Sequence, residues 1–137
     1  DQSIGLLLEA YDAMGLSENT YLIFTSDNGG MPTLPIQVNK GEPYSAGLNS
    51  PLLRGKWDLT EGGIRVPFAV MGPGVEAGSQ SNEPIISYDL MPTLADIAGA
   101  TDALPNNLDG RSIRPVLKNP DSKIQRPPEG LVFHFPQ

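Results

Sequence analysis

Asp27 and Asn28 stand side by side in the stretch Thr25-Ser26-Asp27-Asn28-Gly29-Gly30, directly after the apolar run Tyr21-Leu22-Ile23-Phe24. A carboxylate and an amide carbonyl are hard oxygen donors of the kind that hold Ca²⁺ or Mg²⁺. Ca²⁺ takes about six to eight oxygens, and these two side chains offer about three between them. A metal held here needs further ligands from elsewhere. The same residues have a second reading. Asn-Gly is the strongest short-range signal for a tight hairpin turn, because both residues tolerate positive φ. Position speaks for a site: in open α/β sheets ligands bind just past the carboxyl ends of strands, where Asp27 and Asn28 would stand. The two glycines would let backbone pass close to a ligand.

The second chemistry-bearing stretch runs from Ser50 to Val70, SPLLRGKWDLTEGGIRVPFAV. Arg54, Lys56 and Arg65 cluster there, while residues 1–39 and 66–110 hold no Lys or Arg. A lysine on such a Gly-flanked loop can reach an anionic oxygen as a compact charge with three donors. It can then neutralise charge that builds on a transferring or leaving oxygen. The alternative is a solvated surface lysine. Glu61 and Arg65 suit a structural ion pair. Trp57 is expected in the core, with a substrate platform as the alternative. His134, in Leu131-Val132-Phe133-His134-Phe135, is expected to be a strand or rim histidine.

The elements that must position these groups are short. Ile4, Leu7, Leu8, Tyr11 and Met14 recur at helical spacing over residues 3–14 and give one apolar face, with Gly15 as the stop. Tyr21 to Thr25 reads as a strand apolar on both faces, as in a sheet covered by helices on both sides. A helix, a short loop and then such a strand is the α/β pattern of a mostly parallel sheet. Residues 31–53 show no period and read as a long loop. Residues 64–71 predict a second strand, with Pro67 arguing for an edge or bulge. Residues 88–98 predict a helix, with Ser87 as N-cap, Pro92 near the first turn and Gly99 as the stop. Residues 101–130 are turn-rich with one helical turn at Ile113 to Leu117, and residues 131–135 suggest a small final strand.

The bulk properties set limits. A chain of 137 residues suffices for one domain with a modest core. Gly (15) and Pro (14) are frequent, so much of the length must be loop. A net charge of −7 argues against nucleic acid or an anionic membrane as the main partner. There is no Cys, hence no disulfide and no thiol nucleophile. No apolar run approaches the length of a membrane span. No secretory signal is visible, and the chain starts at Asp1 within a helical pattern, as expected of a piece of a longer protein.

Taken together, YLIFTSDNGG followed by LLRGKWDLTEGGIRVPFAV resembles the type I sulfatases of the alkaline-phosphatase-like superfamily. The resemblance extends along nearly the whole chain. SIGLLLEAYDAMGLSENT is similar to the helix and loop before the family's metal-ligand strand, DLMPTLADIAGA and LDGRSIRPVL to its downstream signatures, and FHFP to a segment near its end. The resemblance implies residues 1–137 as the C-terminal part of a sulfatase catalytic domain, with a strand and helix portion over 1–100 and a loop-rich portion over 101–137. It implies hydrolysis of sulfate esters on sugars, steroids or aryl alcohols. Asp27 and Asn28 match the family's Ca²⁺ ligands, with Ca²⁺ ahead of Mg²⁺. Lys56 matches the lysine that binds the sulfate group or the leaving oxygen. The other ligands and a formylglycine nucleophile, made within a Cys/Ser-x-Pro-x-Arg motif, belong to a preceding part of such enzymes.

The sequence departs from the family's pattern mainly by omission. It has no Cys and no Ser-x-Pro-x-Arg, and its one His lies near the far end. Arg54-Gly55-Lys56 is one residue tighter than the Arg-Gly-Gly-Lys of many members. The chain is therefore expected to carry a share of an active site and to be inactive alone, with the remainder of the sulfatase chain as its partner. Export to the periplasm, the extracellular space or the lysosome follows from the resemblance only. Two rivals remain at this point. One is a phosphatase, phosphodiesterase or phosphonate hydrolase of the same superfamily, in which a histidine typically follows the strand-end aspartate to suit zinc or manganese; Asn28 favours Ca²⁺ instead. The other is a non-catalytic α/β module that binds an anion or a partner.

Overall fold

The computed structural model describes residues 1–31 and 49–134. It is an α/β structure, as the sequence predicts. Helix α1 is Gln2–Ala13, strand β1 Leu22–Thr25, helix α2 Glu61–Ile64, strand β2 Phe68–Met71, helix α3 Leu90–Ile97 and helix α4 Arg114–Lys118. Short 3₁₀ turns occupy Ser87–Asp89 and Thr101–Ala103. The two strands pair with each other in a two-stranded sheet. No helix among the described residues is long and apolar enough to cross a membrane. Most of the expected loop over 31–53 lies outside the described residues.

The chain forms two compact units, Asp1–Leu22 with Val70–Val132, and Ile23–Ala69 with Phe133–Gln137. In the first, α1 ends as expected: Gly15 takes φ +67°, a left-handed conformation open to glycine, and the Gly15 and Leu16 N–H groups donate back to Asp12 and Tyr11 carbonyls. The predicted apolar face of α1 is only partly covered. Tyr11 is buried and donates its hydroxyl to the Thr20 carbonyl at 2.8 Å. Leu8 is half-buried, while Ile4, Leu7 and Met14 are exposed.

Around α3 the polar groups are matched one by one. Its predicted cap, Ser87, makes no capping bond; Asp89 stands at the N-cap after a 3₁₀ turn. Gly99 takes φ +69° beyond its end, as predicted. The buried Thr93 hydroxyl donates to the Asp89 carbonyl at 2.6 Å and accepts from the Ile113 N–H at 2.9 Å. Asp96 accepts from the Ser112 hydroxyl at 2.6 Å and from Arg114 at 2.7 Å. These bonds dock the segment Leu108 to Leu117 on α3 and bury Ile113 and Val116 beside it. Gly110 is required there, because a Cβ would collide with the Tyr88 carbonyl oxygen.

Asp89 is the hub of this unit. Only 1% exposed, it accepts from the Ile86 and Arg111 N–H groups at 3.0 and 2.8 Å. Both terminal nitrogens of Arg126 also reach it, at 3.1 and 2.6 Å. Burial pushes its carboxyl upward, but the Arg126 guanidinium and the two backbone donors outweigh that and hold it below the usual carboxylate value.

Two expectations about strands are corrected. Residues 64–71 were expected to extend as one strand, but Ile64 closes α2, and the strand begins only after Pro67, whose missing N–H cannot join a ladder. The small final strand does not form over Leu131 to His134, which are irregular; β1 and β2 pair with each other, and a strand without a neighbour has no ladder to join. Phe135 lies outside the described residues.

Candidate active site

The second unit contains all three residues singled out by chemistry. Asp27 and Asn28 form a bend directly beyond β1, as the strand-end position predicts. Among the described residues the strand paired with β1 is β2, which lies far along the chain from the bend. Asp27 is exposed and Asn28 half-buried. The Ser26 hydroxyl donates to the Asn28 carbonyl at 2.8 Å, and Asn28 Nδ2 donates to the Gly29 carbonyl at 2.9 Å. With its nitrogen engaged by its own backbone, the Asn28 amide has Oδ1 as the atom to offer a cation.

The lysine loop is tied to this bend by backbone bonds. The Gly29 N–H donates to the Gly63 carbonyl at 2.9 Å, and the Lys56 N–H donates to the Gly30 carbonyl at 3.1 Å. Three glycines at this junction permit a close approach of backbones. A Cβ on Gly29 would collide with the carbonyl of Gly62; one on Gly62 would collide with the carbonyls of Leu53 and Arg54; one on Gly63 would collide with that of Asp58. The bare backbones let the two motifs cross each other, so the close approach is chain against chain. Asn49 spans the crossing. Its Oδ1 accepts from the Gly30 N–H at 3.1 Å, and its Nδ2 donates to the Gly30 and Arg54 carbonyls at 3.0 and 2.9 Å.

The loop itself is strained. Arg54 and Trp57, the residues on either side of Gly55-Lys56, have φ of +60° and +76°, values costly for any residue with a Cβ. Side-chain and backbone bonds hold them there. Arg54 donates to Asp58 at 2.6 Å, and Asp58 accepts from the Thr60 N–H at 2.8 Å. The Arg54 guanidinium first, then the Thr60 N–H, hold the Asp58 carboxyl down to about 2. The Leu53 carbonyl accepts from the Thr60 hydroxyl at 2.6 Å and from the Gly62 N–H at 2.9 Å.

Lys56 is half-buried at the middle of this loop, with its ammonium 5.8 Å from the centre of the Trp57 ring, a cation–π distance. Trp57 itself is 60% exposed, so the expected core role is corrected: a left-handed backbone turns its ring out of the loop. Glu61 and Arg65 form the expected ion pair, at 3.1 Å across one turn of α2. His134 is exposed. A cleft of about 330 Å³ in the first unit is lined by Tyr88, Arg111 and Arg126 among others, and by none of Asp27, Asn28 or Lys56.

The donor set fits a hard cation in part. Asp27 and Asn28 bring carboxylate and amide oxygens, and among the described residues no three His, Cys, Asp or Glu side chains gather closely enough to hold a metal. Sequence reasoning missed Asn49 and Asp58. An Asp two residues before Thr60 is a recognisable turn signal. Asn49 carries no such local signature, since its partners lie nineteen and five residues away.

A sequence model described as Sulfatase matches residues 1–100. The ulvan-active sulfatase of Formosa agariphila is 34% identical over 136 residues, 98% of this chain and 23% of that protein. The human steryl-sulfatase is 36% identical over 136 residues, 98% of this chain and 22% of that protein. Human arylsulfatase A is 36% identical over 137 residues, 99% of this chain and 24% of that protein. Among solved structures, BT4656 in complex with its substrate D-glucosamine-2-N,6-O-disulfate superposes with a TM-score of 0.66 at 29% identity, over 93% of this chain and 22% of that one. The chain thus spans less than a quarter of the length of these relatives. The crossing of an Asp-Asn-Gly-Gly bend with a lysine loop occurs in a chain that belongs to the sulfatase family.

Proposed function

We propose that this chain is the C-terminal part of a sulfatase that hydrolyses sulfate esters, with a formylglycine nucleophile and further Ca²⁺ ligands contributed by a segment outside these 137 residues. The observation that carries the reading is the pair of backbone bonds, Gly29 to Gly63 and Lys56 to Gly30, joining the strand-end acid and amide to the lysine loop. Sulfated sugars are the favoured substrate class, on the likeness to BT4656 and its disulfated glucosamine.

Asp27 and Asn28 Oδ1 would hold one side of a Ca²⁺ ion. When bound, such an ion supplies Lewis-acid polarisation of a sulfate oxygen. The chain's own residues do the rest of their share by position. Lys56 directs an ammonium at the ester oxygen that gains charge as the S–O bond lengthens, and the fixed loop means that little reorganisation is needed at that moment. The Trp57 ring beside the ammonium restricts where it can swing. Without the nucleophile, the 137 residues alone have no turnover.

The test is Lys56→Ala in the full-length enzyme, assayed on an aryl sulfate. Loss of a charge-stabilising donor costs about 10²–10³ in kcat. A rate equal to that of the unaltered enzyme would remove Lys56 from the site and with it the reading.

A further inference from the structure

We infer that Asn49 is a positioning residue for Lys56. The inference rests on the sulfatase reading above and adds a residue to it. One amide side chain makes three bonds, to both backbone groups of Gly30 and to the Arg54 carbonyl. The Gly30 carbonyl is the shared point. It accepts Asn49 Nδ2 at 3.0 Å and the Lys56 N–H at 3.1 Å, so both of its lone pairs are used. Asn49 fixes the Gly30 peptide, and that peptide fixes the backbone of Lys56. The third bond holds the carbonyl of Arg54, two residues before Lys56 and one of the two left-handed residues of the loop.

Asn49 thus holds one strained residue of the loop, Arg54, by its carbonyl, and the Gly30 peptide to which Lys56 is bonded. A left-handed Arg54 and a left-handed Trp57 would relax if the loop were released, and a relaxed loop aims the ammonium elsewhere. No other common side chain offers an acceptor and a two-proton donor at this reach: aspartate lacks the donor, serine lacks the length, and glutamine adds a methylene that the 2.9–3.1 Å bonds leave no room for. Asn49 touches neither substrate nor metal in this account. Its effect runs through where Lys56 sits, and misplacement of a catalytic group by about 1 Å costs on the order of 10²-fold.

The experiment is a double-mutant cycle in the full-length enzyme, with kcat on an aryl sulfate as the readout. Asn49→Ala is paired with Asn49→Asp, which keeps the shape and the acceptor for the Gly30 N–H but turns a carboxylate toward two carbonyls. Each is made alone and with Lys56→Ala, and melting is followed in all variants to identify any that fail to fold. Asn49→Asp and Asn49→Ala are each expected to lower kcat about 10–100-fold, and to lower it less than about threefold further once Lys56 is gone. Losses that multiply in full with that of Lys56→Ala, or no loss from a folded Asn49 variant, would overturn the positioning role while leaving the sulfatase reading intact. No loss from Lys56→Ala itself would overturn the sulfatase reading, and the role of Asn49 with it. A general structural role predicts a lowered melting temperature with an unchanged fold-loss in the Lys56→Ala background.

Discussion

Replacing Asp89 by Asn tests the central claim about the first unit, that one buried carboxylate holds three separate stretches of chain together. The change keeps the shape and removes the charge. Whichever way the new amide turns, its NH₂ faces two donors: Arg111 N–H and Arg126 Nη1 on one side, or Ile86 N–H and Arg126 Nη2 on the other. One charge-assisted bond is lost, worth about 1.5–3 kcal/mol, and one backbone N–H is left unsatisfied at about 1–3 kcal/mol. Arg126, whose side chain is 12% exposed, keeps its charge with a weakened partner. The sum, about 2.5–6 kcal/mol, brackets the roughly 3–5 kcal/mol for breaking a buried pair by altering one member. Hydrogen exchange in the full-length enzyme gives a local measure. The amides of Arg111 and Ile113 should exchange roughly 10²–10⁴-fold faster if they open through this unit. The folded carboxyl titrates below the ordinary value of 3.8, so its contribution is complete above that pH and is lost as pH falls through the folded value. The gap between wild type and Asp89→Asn should therefore narrow at pH 3 relative to pH 7. A gap below about tenfold at pH 7, or one that does not change with pH, would refute the assignment of this load to the Asp89 charge.

The remaining expectations concern the crossing and the helix before it. Asp27→Ala in the full-length enzyme should abolish retention of Ca²⁺ through desalting, read by elemental analysis; one equivalent retained would end its role as a ligand. Gly29→Ala forces a Cβ onto the Gly62 carbonyl and should cost about 1–3 kcal/mol in urea unfolding, with kcat falling as the lysine loop moves. Gly5→Ala is the contrasting case: its Cβ meets nothing within 4 Å inside helix α1, and helix propensity predicts a gain of about 0.5–1 kcal/mol.

How much of this was legible in the sequence depends on how local each cause is. Helix α1, its glycine stop, strand β1 and helix α3 follow from periodicity and from Gly15 and Gly99, whose causes lie within a few residues. The strand-end position of Asp27 and Asn28 follows from the apolar run before them. Helix α2 was not legible, because Glu61-Gly62-Gly63-Ile64 holds two poor helix formers; it forms where the Leu53 and Thr60 carbonyls receive its glycine N–H groups. Trp57 was misjudged because aromatic rings are usually buried, and a positive φ cannot be read from a tryptophan. Asp89 and Asn49 escaped notice for one reason. Their partners, up to thirty-seven and nineteen residues distant, become neighbours only after folding.

The anchoring of the lysine loop at Asn49 also governs how this region can vary in length. The chain leaves the crossing at Gly30 and is caught again at Asn49, whose side chain bonds back to the point of departure. The stretch from Asn49 to Gly63 is the part whose length is set. A Cβ on Gly62 would meet the Leu53 and Arg54 carbonyls, and one on Gly63 that of Asp58, so adding or removing a residue would bring a side chain to places that take bare backbone.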